Sequence, residues 1–283
     1  MLGFAAWMML FIARGGGTLE NTDKLIPPGY IGNPWGPAAN AARESGELPP
    51  IEMTEEMRRW ERWGEGTLKT GDILFRQGDG RLLFGHYPFS RFLANITGSP
   101  YSHTGIAVVE DGRAYVYDTT KAGVRRQPFH VWVLDNKMGM GVKRVKPEHA
   151  SKIPQMVAYL HDVYEKQVPF DYTLNPSDDA LYCVEMTEKA FRSAGLKLSE
   201  PVPLYKAERF DEFPLNVMVL KIVASLLLDE NLDDKTPIYM PGNERHGIWA
   251  SKDLVTVYPP AAKVTADGTR PRTANPIAPA GMP

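Results

Sequence analysis

Apolar and polar positions in this chain change their spacing several times, and each change marks an element. The most distinct segment is a pair of short strand-like runs, His103 to Glu110 and Arg113 to Thr120, separated by Asp111-Gly112. Asp-Gly between two such runs favours a two-residue turn, so the pattern predicts a β-hairpin. Upstream, Thr70-Gly71-Asp72 feeds the apolar run Ile73-Leu74-Phe75, which predicts a strand. Residues 86–98 read as a helix around Phe89, Phe92 and Ile96 until Gly98-Ser99-Pro100 stops it. Downstream, Ile153, Met156, Val157, Leu160 and Val163 share one face of a helix over 151–166. A polar, aromatic loop over 167–182 leads into a helix over 183–195, with Gly195 as its C-terminal stop.

The flanks are less regular. Residues 15–50, rich in Gly, Pro and Asn, read as an extended arm, and 51–63 as a helix carrying Met and Trp among charges. Residues 215–228 are strongly apolar, but the run is short for a membrane span and carries Lys221, so a core helix is expected. Residues 259–283, rich in Pro, Ala and Thr, are expected to be disordered. The organisation that follows is a terminal segment 1–14, an arm and helix 15–66, a compact domain 67–258 and a tail 259–283. The apolar run Met1 to Ala13 is too short to span a bilayer comfortably. It lacks a preceding basic residue and a clean Ala-x-Ala site. A signal peptide, a membrane-associating N-terminus and an ordinary buried helix compete for it. Export or membrane association through this segment is the expectation.

Composition narrows the function classes. The 283 residues are 43% hydrophobic and 23% charged, ordinary for a globular protein. The net charge of −2 offers no bulk attraction to nucleic acid, so no nucleic-acid partner is expected. A single cysteine, Cys183, excludes an intrachain disulfide and a multi-cysteine zinc site. The histidines other than His103 have no partner at metal-ligand spacing, so no metal site is expected, and chemistry carried by a cysteine and a histidine requires no cofactor.

That one cysteine stands where the 167–182 loop turns into a helix. Backbone N–H groups at a helix start favour a thiolate, and a histidine beside it would complete an activated nucleophile. A free cysteine is also commonly a small buried hydrophobe. The hairpin supplies the histidine. With Asp111 and Gly112 as the two loop residues, Glu110 pairs with Arg113, Gly105 lies opposite Asp118, and His103 lies opposite Thr120. Facing residues share a side of the sheet, which places His103, Gly105, Asp118 and Thr120 together. His103 and Asp118 are then diagonal neighbours, with Gly105 leaving space between them. Asp118 would orient the imidazole, as a carboxylate does in a triad. Thr120 is the weaker candidate for that role, and a turn-capping aspartate is the alternative for Asp118.

Four segments, in this order, resemble the circularly permuted papain-like branch of the NlpC-type cysteine hydrolase superfamily, in particular its YiiX/YebB-like group. They are Thr70 to Arg76, Thr97 to Ile106, Val116-Tyr117-Asp118 with Ala122-Gly123-Val124, and Phe170-Asp171-Tyr172 leading to Tyr182-Cys183-Val184-Glu185. Histidine before cysteine is the order of the permuted branch. The resemblance implies an α+β papain-like fold with a small, mostly antiparallel sheet packed against the cysteine-bearing helix. It implies Cys183 as nucleophile, His103 as general base and then acid, and Asp118 as orienter; in that mechanism Tyr182 either lines the substrate site at the oxyanion or is a packing residue. Val184 and Asp118 depart from the family's preferred small hydroxyl and glutamate. The implied activity is cleavage of amide bonds, as an amidase or peptidase on small-molecule or peptide substrates such as cell-wall peptides. A lipid acyl hydrolase or acyltransferase, with a lipid substrate, and a non-catalytic binding module on the same fold are the alternatives.

Overall fold

The computed structural model describes residues 25–27, 30–78, 80, 89–136, 139–174, 176, 179–215, 217–218, 221–222 and 233–259. Six strands form an antiparallel sheet: β1 (Ile73–Arg76), β2 (His103–Glu110), β3 (Arg113–Thr120), β4 (Gly123–Pro128), β5 (Met140–Val145) and β8 (Leu254–Tyr258). Their order across the sheet is β4-β3-β2-β1-β5-β8. A separate two-stranded ribbon pairs β6 (Val202–Pro203) with β7 (Pro237–Ile238). The expected mixed α+β fold with a small antiparallel sheet is therefore present.

The sheet is apolar on both faces because helices cover both. Ile73, Phe75, Ile106, Val108, Tyr117 and Val124 meet the helices α5 (Ile153–Glu165) and α6 (Cys183–Ser193) through Met156, Leu160, Met186 and Ala190. Leu74, Ala107, Val116 and Val142 face the opposite way, onto α2 (Glu55–Thr67) and α4 (Phe129–Trp132) through Trp60, Phe129 and Trp132. Consecutive residues of β1 thus enter different cores, which is why all four are buried. Alternation of side chains along a strand turns this chemistry into geometry.

The β2–β3 hairpin takes the expected register, from Glu110↔Arg113 to Ile106↔Tyr117. Both turn residues have positive φ, +49° at Asp111 and +79° at Gly112, as the tight hairpin turn that matches strand twist requires. The 37–44 stretch of the expected arm is a helix, α1 (Pro37–Glu44), with Pro37 in its first turn, where a missing N–H costs nothing. Asn40 anchors it by donating to Trp35 O, Arg126 O and the Tyr164 hydroxyl. Local composition carries no trace of such long-range bonds. A further helix, α3 (Phe89–Ile96), falls within the expected 86–98.

Two expectations are corrected. In the 215–228 run, Val217 is buried, but Leu215, Met218 and Ile222 are exposed, so these three do not join a core. Its other residues, apart from Lys221, lie outside the described ones. The expected membrane association is corrected: among the described residues no helix is long and apolar enough to cross a membrane. Among the described residues the longest helices have 13 residues, about 20 Å of rise against a hydrocarbon core of about 30 Å. The 1–14 segment and the 260–283 tail lie outside the described residues.

Candidate active site

The site forms where the start of β2 meets the start of α6. Tyr182 is the extended residue before the helix (φ −97°, ψ 163°) and Cys183 the first helical one. Two adjacent residues of β2 hold the pieces together by pointing to opposite faces. Thr104 grips the helix: its hydroxyl lies 3.1 Å from Cys183 O and 2.9 Å from Thr187 Oγ1, and Thr187 Oγ1 donates to the same carbonyl. His103, one residue earlier, turns to the other face and meets Asp118, with Nε2 2.7 Å from Oδ2. Cys183 Sγ reaches the strand end, 4.0 Å from Ser102 O, and its charge acts on the imidazole of His103, the next residue along the strand. Because Nε2 is engaged by Asp118, Nδ1 is the ring nitrogen left for sulfur.

Asp118 is completely buried, and its oxygens are filled by donors. Oδ2 accepts from Arg125 Nη2 at 2.8 Å and Trp132 Nε1 at 2.9 Å besides facing His103, while Oδ1 accepts from Arg125 Nε at 2.9 Å. Arg76 Nη2 stands 3.8 Å from Oδ2. Gly105 is required beside it. A β-carbon there would come within 2.6 Å of Val116 Cγ1, 3.0 Å of Tyr117 O and 3.2 Å of Asp118 Cβ. The space expected at Gly105 is thus already taken by its neighbours.

Charge follows this geometry. Burial penalises the Cys183 thiolate, but the His103 imidazolium and its hydrogen bond outweigh the penalty and hold the thiol below its ordinary pKa. Burial likewise works against a charged His103. The Cys183 charge and the Asp118 hydrogen bond overcome it and push the imidazole up to about 9, with Arg76 opposing. Asp118 lies well below the usual carboxylate range: burial is outweighed by the Arg125 charge and by hydrogen bonds from His103 and Arg125. Each group therefore favours the charged form of the other, thiolate beside imidazolium.

Cys183, His103 and Asp118 are thus brought together. The hydrogen bond of His103 goes to Asp118 rather than Thr120. Tyr182 is buried, and its hydroxyl accepts the Tyr239 N–H at 2.6 Å, tying the helix start to the residue after β7. Of the other histidines, His161 is exposed, His149 pairs with Asp253 and His246 with Glu208; His86 lies outside the described residues. Sequence reasoning missed Arg125, Arg76 and Trp132. A signal for Arg125 existed, since a two-residue turn at Lys121-Ala122 sets Asp118 opposite Arg125, the register observed.

A thiol at a helix start, a buried imidazole and a sheet covered by helices define the class: a papain-like hydrolase in permuted order. The chain belongs to the permuted papain-like amidase enzymes of the YaeF/YiiX, C92 family, whose model matches residues 67–212. It is 28% identical to YiiX of Escherichia coli (strain K12) over 145 residues, 50% of this chain and 66% of the relative, just under two thirds of that protein's length. Its fold resembles the crystal structure of metalloprotein YiiX from Escherichia coli O157:H7, with a TM-score of 0.56 and 22% identity over 68% of this chain and 97% of that one.

Proposed function

We propose that the protein is a cysteine amidase in which Cys183 is the nucleophile, His103 the general base and acid, and Asp118 the orienter. The observation that carries this reading is His103 itself, which is hydrogen-bonded to Asp118 and electrostatically coupled to Cys183 at the start of α6. The thiolate attacks the amide carbonyl carbon, forming a C–S bond. The resulting oxyanion meets the Cys183 N–H, one of the donors that a helix start leaves without an intrahelical acceptor. As the C–N bond breaks, His103 gives its proton to the departing amine. Water then attacks the thioester, His103 takes its proton, and the acid product leaves with the thiol restored. Tyr182 serves as a positioning residue that fixes the entry of α6.

The solved relative is titled a metalloprotein. Among the described residues of this chain, no group of three or more His, Cys, Asp or Glu side chains is placed to hold a metal ion. Asp118, the site's carboxylate, is occupied by Arg125, Trp132 and His103. These residues do not fit a metal, and no step is routed through one.

The substrate class that suits this family and this nucleophile is a peptide-type amide, cell-wall peptides included. The test is iodoacetamide labelling of wild type, His103→Ala and Asp118→Ala, followed by a screen of peptide amides and mass measurement of the trapped acyl-enzyme. Wild type labels well below the pH of an ordinary thiol, His103→Ala loses that reactivity, and the adduct carries a peptide acyl group. Equal labelling of wild type and His103→Ala, or a fatty-acyl adduct, would overturn the proposal.

A further inference from the structure

Around the His103–Asp118 bond lies a buried set of charges that the reaction scheme leaves unused. Arg76 pairs with His103 across β1 and β2, and Arg125 pairs with Asp118 across β3 and β4. Both guanidinium groups are only 2% exposed, which is rare for arginine without a specific partner. Arg125 grips Asp118 through a two-bond fork. Arg76 stacks on the Trp132 ring at 4.4 Å, donates to Trp132 O, and stands 3.4 Å from Asp135 as well as 3.8 Å from Asp118. The two arginines and two aspartates cancel in charge.

That balance has a chemical consequence. An unshielded buried carboxylate 2.7 Å from an imidazole would bind its proton so tightly that the imidazolium would be a poor acid. We infer that Arg76 and Arg125 are positioning residues that offset the Asp118 charge, so that His103 is oriented by the carboxylate yet still gives up its proton to a leaving group. This rests on the Cys183–His103 reading above. The charged and titratable groups facing His103 are Cys183 from α6, Asp118 from β3, Arg125 from β4, Arg76 from β1 and, through Arg76, Asp135 in the turn after α4. Removing either arginine charge leaves the set one unit more negative. Both limbs of the thiolate–imidazolium window then move to higher pH.

The experiment compares Arg125→Met and Arg76→Met with Arg125→Lys and Arg76→Lys. His103 is titrated by NMR of its ring carbons, assigned with His103→Gln, and Cys183 by the pH dependence of iodoacetamide alkylation. The methionine variants are expected to raise both midpoints by about one pH unit. The lysine variants, which lose the fork and the stack but keep the charge, hold both near wild type. A merely structural role predicts that lysine disturbs the midpoints as much as methionine, and that result overturns the inference. If the methionine variants fail to fold, the lysine variants still decide, because a shift of a full unit in them is incompatible with control by charge. If wild-type Cys183 alkylates only in the ordinary thiol range, or His103→Gln leaves alkylation unchanged, the functional reading fails. If both behave as expected and the arginine variants shift nothing, this inference alone fails.

Discussion

Trp132 and His103 meet on one oxygen atom. Both reach Asp118 Oδ2, the indole Nε1 at 2.9 Å and the imidazole Nε2 at 2.7 Å, and their rings lie 6.2 Å apart at a 32° tilt. The indole N–H therefore occupies part of the oxygen that orients the histidine, and the indole ring covers its flank. Trp132→Phe keeps most of the ring and deletes the donor. Expected outcomes are a stability loss of about 1–2 kcal/mol in urea denaturation, the scale of one buried hydrogen bond, and a several-fold slower alkylation of Cys183. Unchanged alkylation would show that the indole bond does not orient the site.

Asp118→Asn preserves shape and removes the charge that Arg125 and His103 share. The amide supplies one acceptor oxygen where four donors now converge on two, so some are left unpaired. Such a break in a buried charged network costs about 3–5 kcal/mol. Hydrolysis should fall by about 10²- to 10⁴-fold, the range over which an orienting carboxylate acts. Thermal unfolding together with rates on a cleaved amide checks both.

Gly105→Ala tests packing without altering a polar side chain. The added methyl would lie 2.6 Å from Val116 Cγ1 and 3.2 Å from Asp118 Cβ, closer than atoms tolerate. Displacing β3 should cost about 1–3 kcal/mol, the usual cost of overpacking, and slow thiol labelling because Asp118 moves with its strand. Full labelling in a destabilised variant would separate fold from site.

The pH window of the proposed nucleophile follows from the two opposed shifts. Above the depressed thiol pKa, Cys183 is ionised beside a charged His103; above about 9, His103 loses its proton. The raised imidazole pKa adds stability that is complete below the ordinary imidazole range of about 6.5 and disappears as pH rises through about 9. The lowered thiol pKa adds stability that is present at high pH and is lost as pH falls through it. Amide hydrolysis is expected to decline on the alkaline side near pH 9, where the acid is gone. In His103→Ala, thiol labelling should rise only in the ordinary thiol range.

Glu185, two residues after Cys183, offers a separate stability test. Burial pushes its carboxyl up to about 7, despite Lys189 Nζ at 2.9 Å and the Tyr182 N–H. A carboxyl whose folded pKa is raised favours the fold below about 4.5 and loses that contribution as pH rises through about 7. Glu185→Gln, the neutral isostere, should therefore match wild type near pH 5 and exceed it near pH 8–9 by roughly 1–3 kcal/mol. A variant less stable than wild type at both pH values would show that the Lys189 pair outweighs burial.

Much of the site was readable in the chain because its decisive relation is local. The Asp111-Gly112 turn sets the hairpin register, and the register alone makes His103 and Asp118 neighbours, fifteen residues apart in sequence. The lone cysteine before a helical run was equally visible. Arg125 lay one turn further along and needed only the same counting. Arg76 and Trp132 were not readable, because they reach Asp118 from β1 and from the helix after β4, and no local period connects those places. The 215–228 run was readable only in part: of its described residues Val217 joins the core while Leu215, Met218 and Ile222 remain exposed, because apolar content does not say which surface will cover it.

By itself the sequence determined which residues can do chemistry, where the hairpin turns, and the histidine-before-cysteine order of a permuted papain-like chain. Turn geometry and side-chain alternation act over a few residues, so these are written locally. Tertiary structure decided that sulfur and imidazole meet at all, and that a carboxylate between them and two arginines is held with every oxygen filled. Those contacts, and the Thr104–Thr187 bond that joins strand to helix 83 positions apart, arise only when the helices close over both faces of the sheet. Burial then gives the charges their strength, since water no longer screens them.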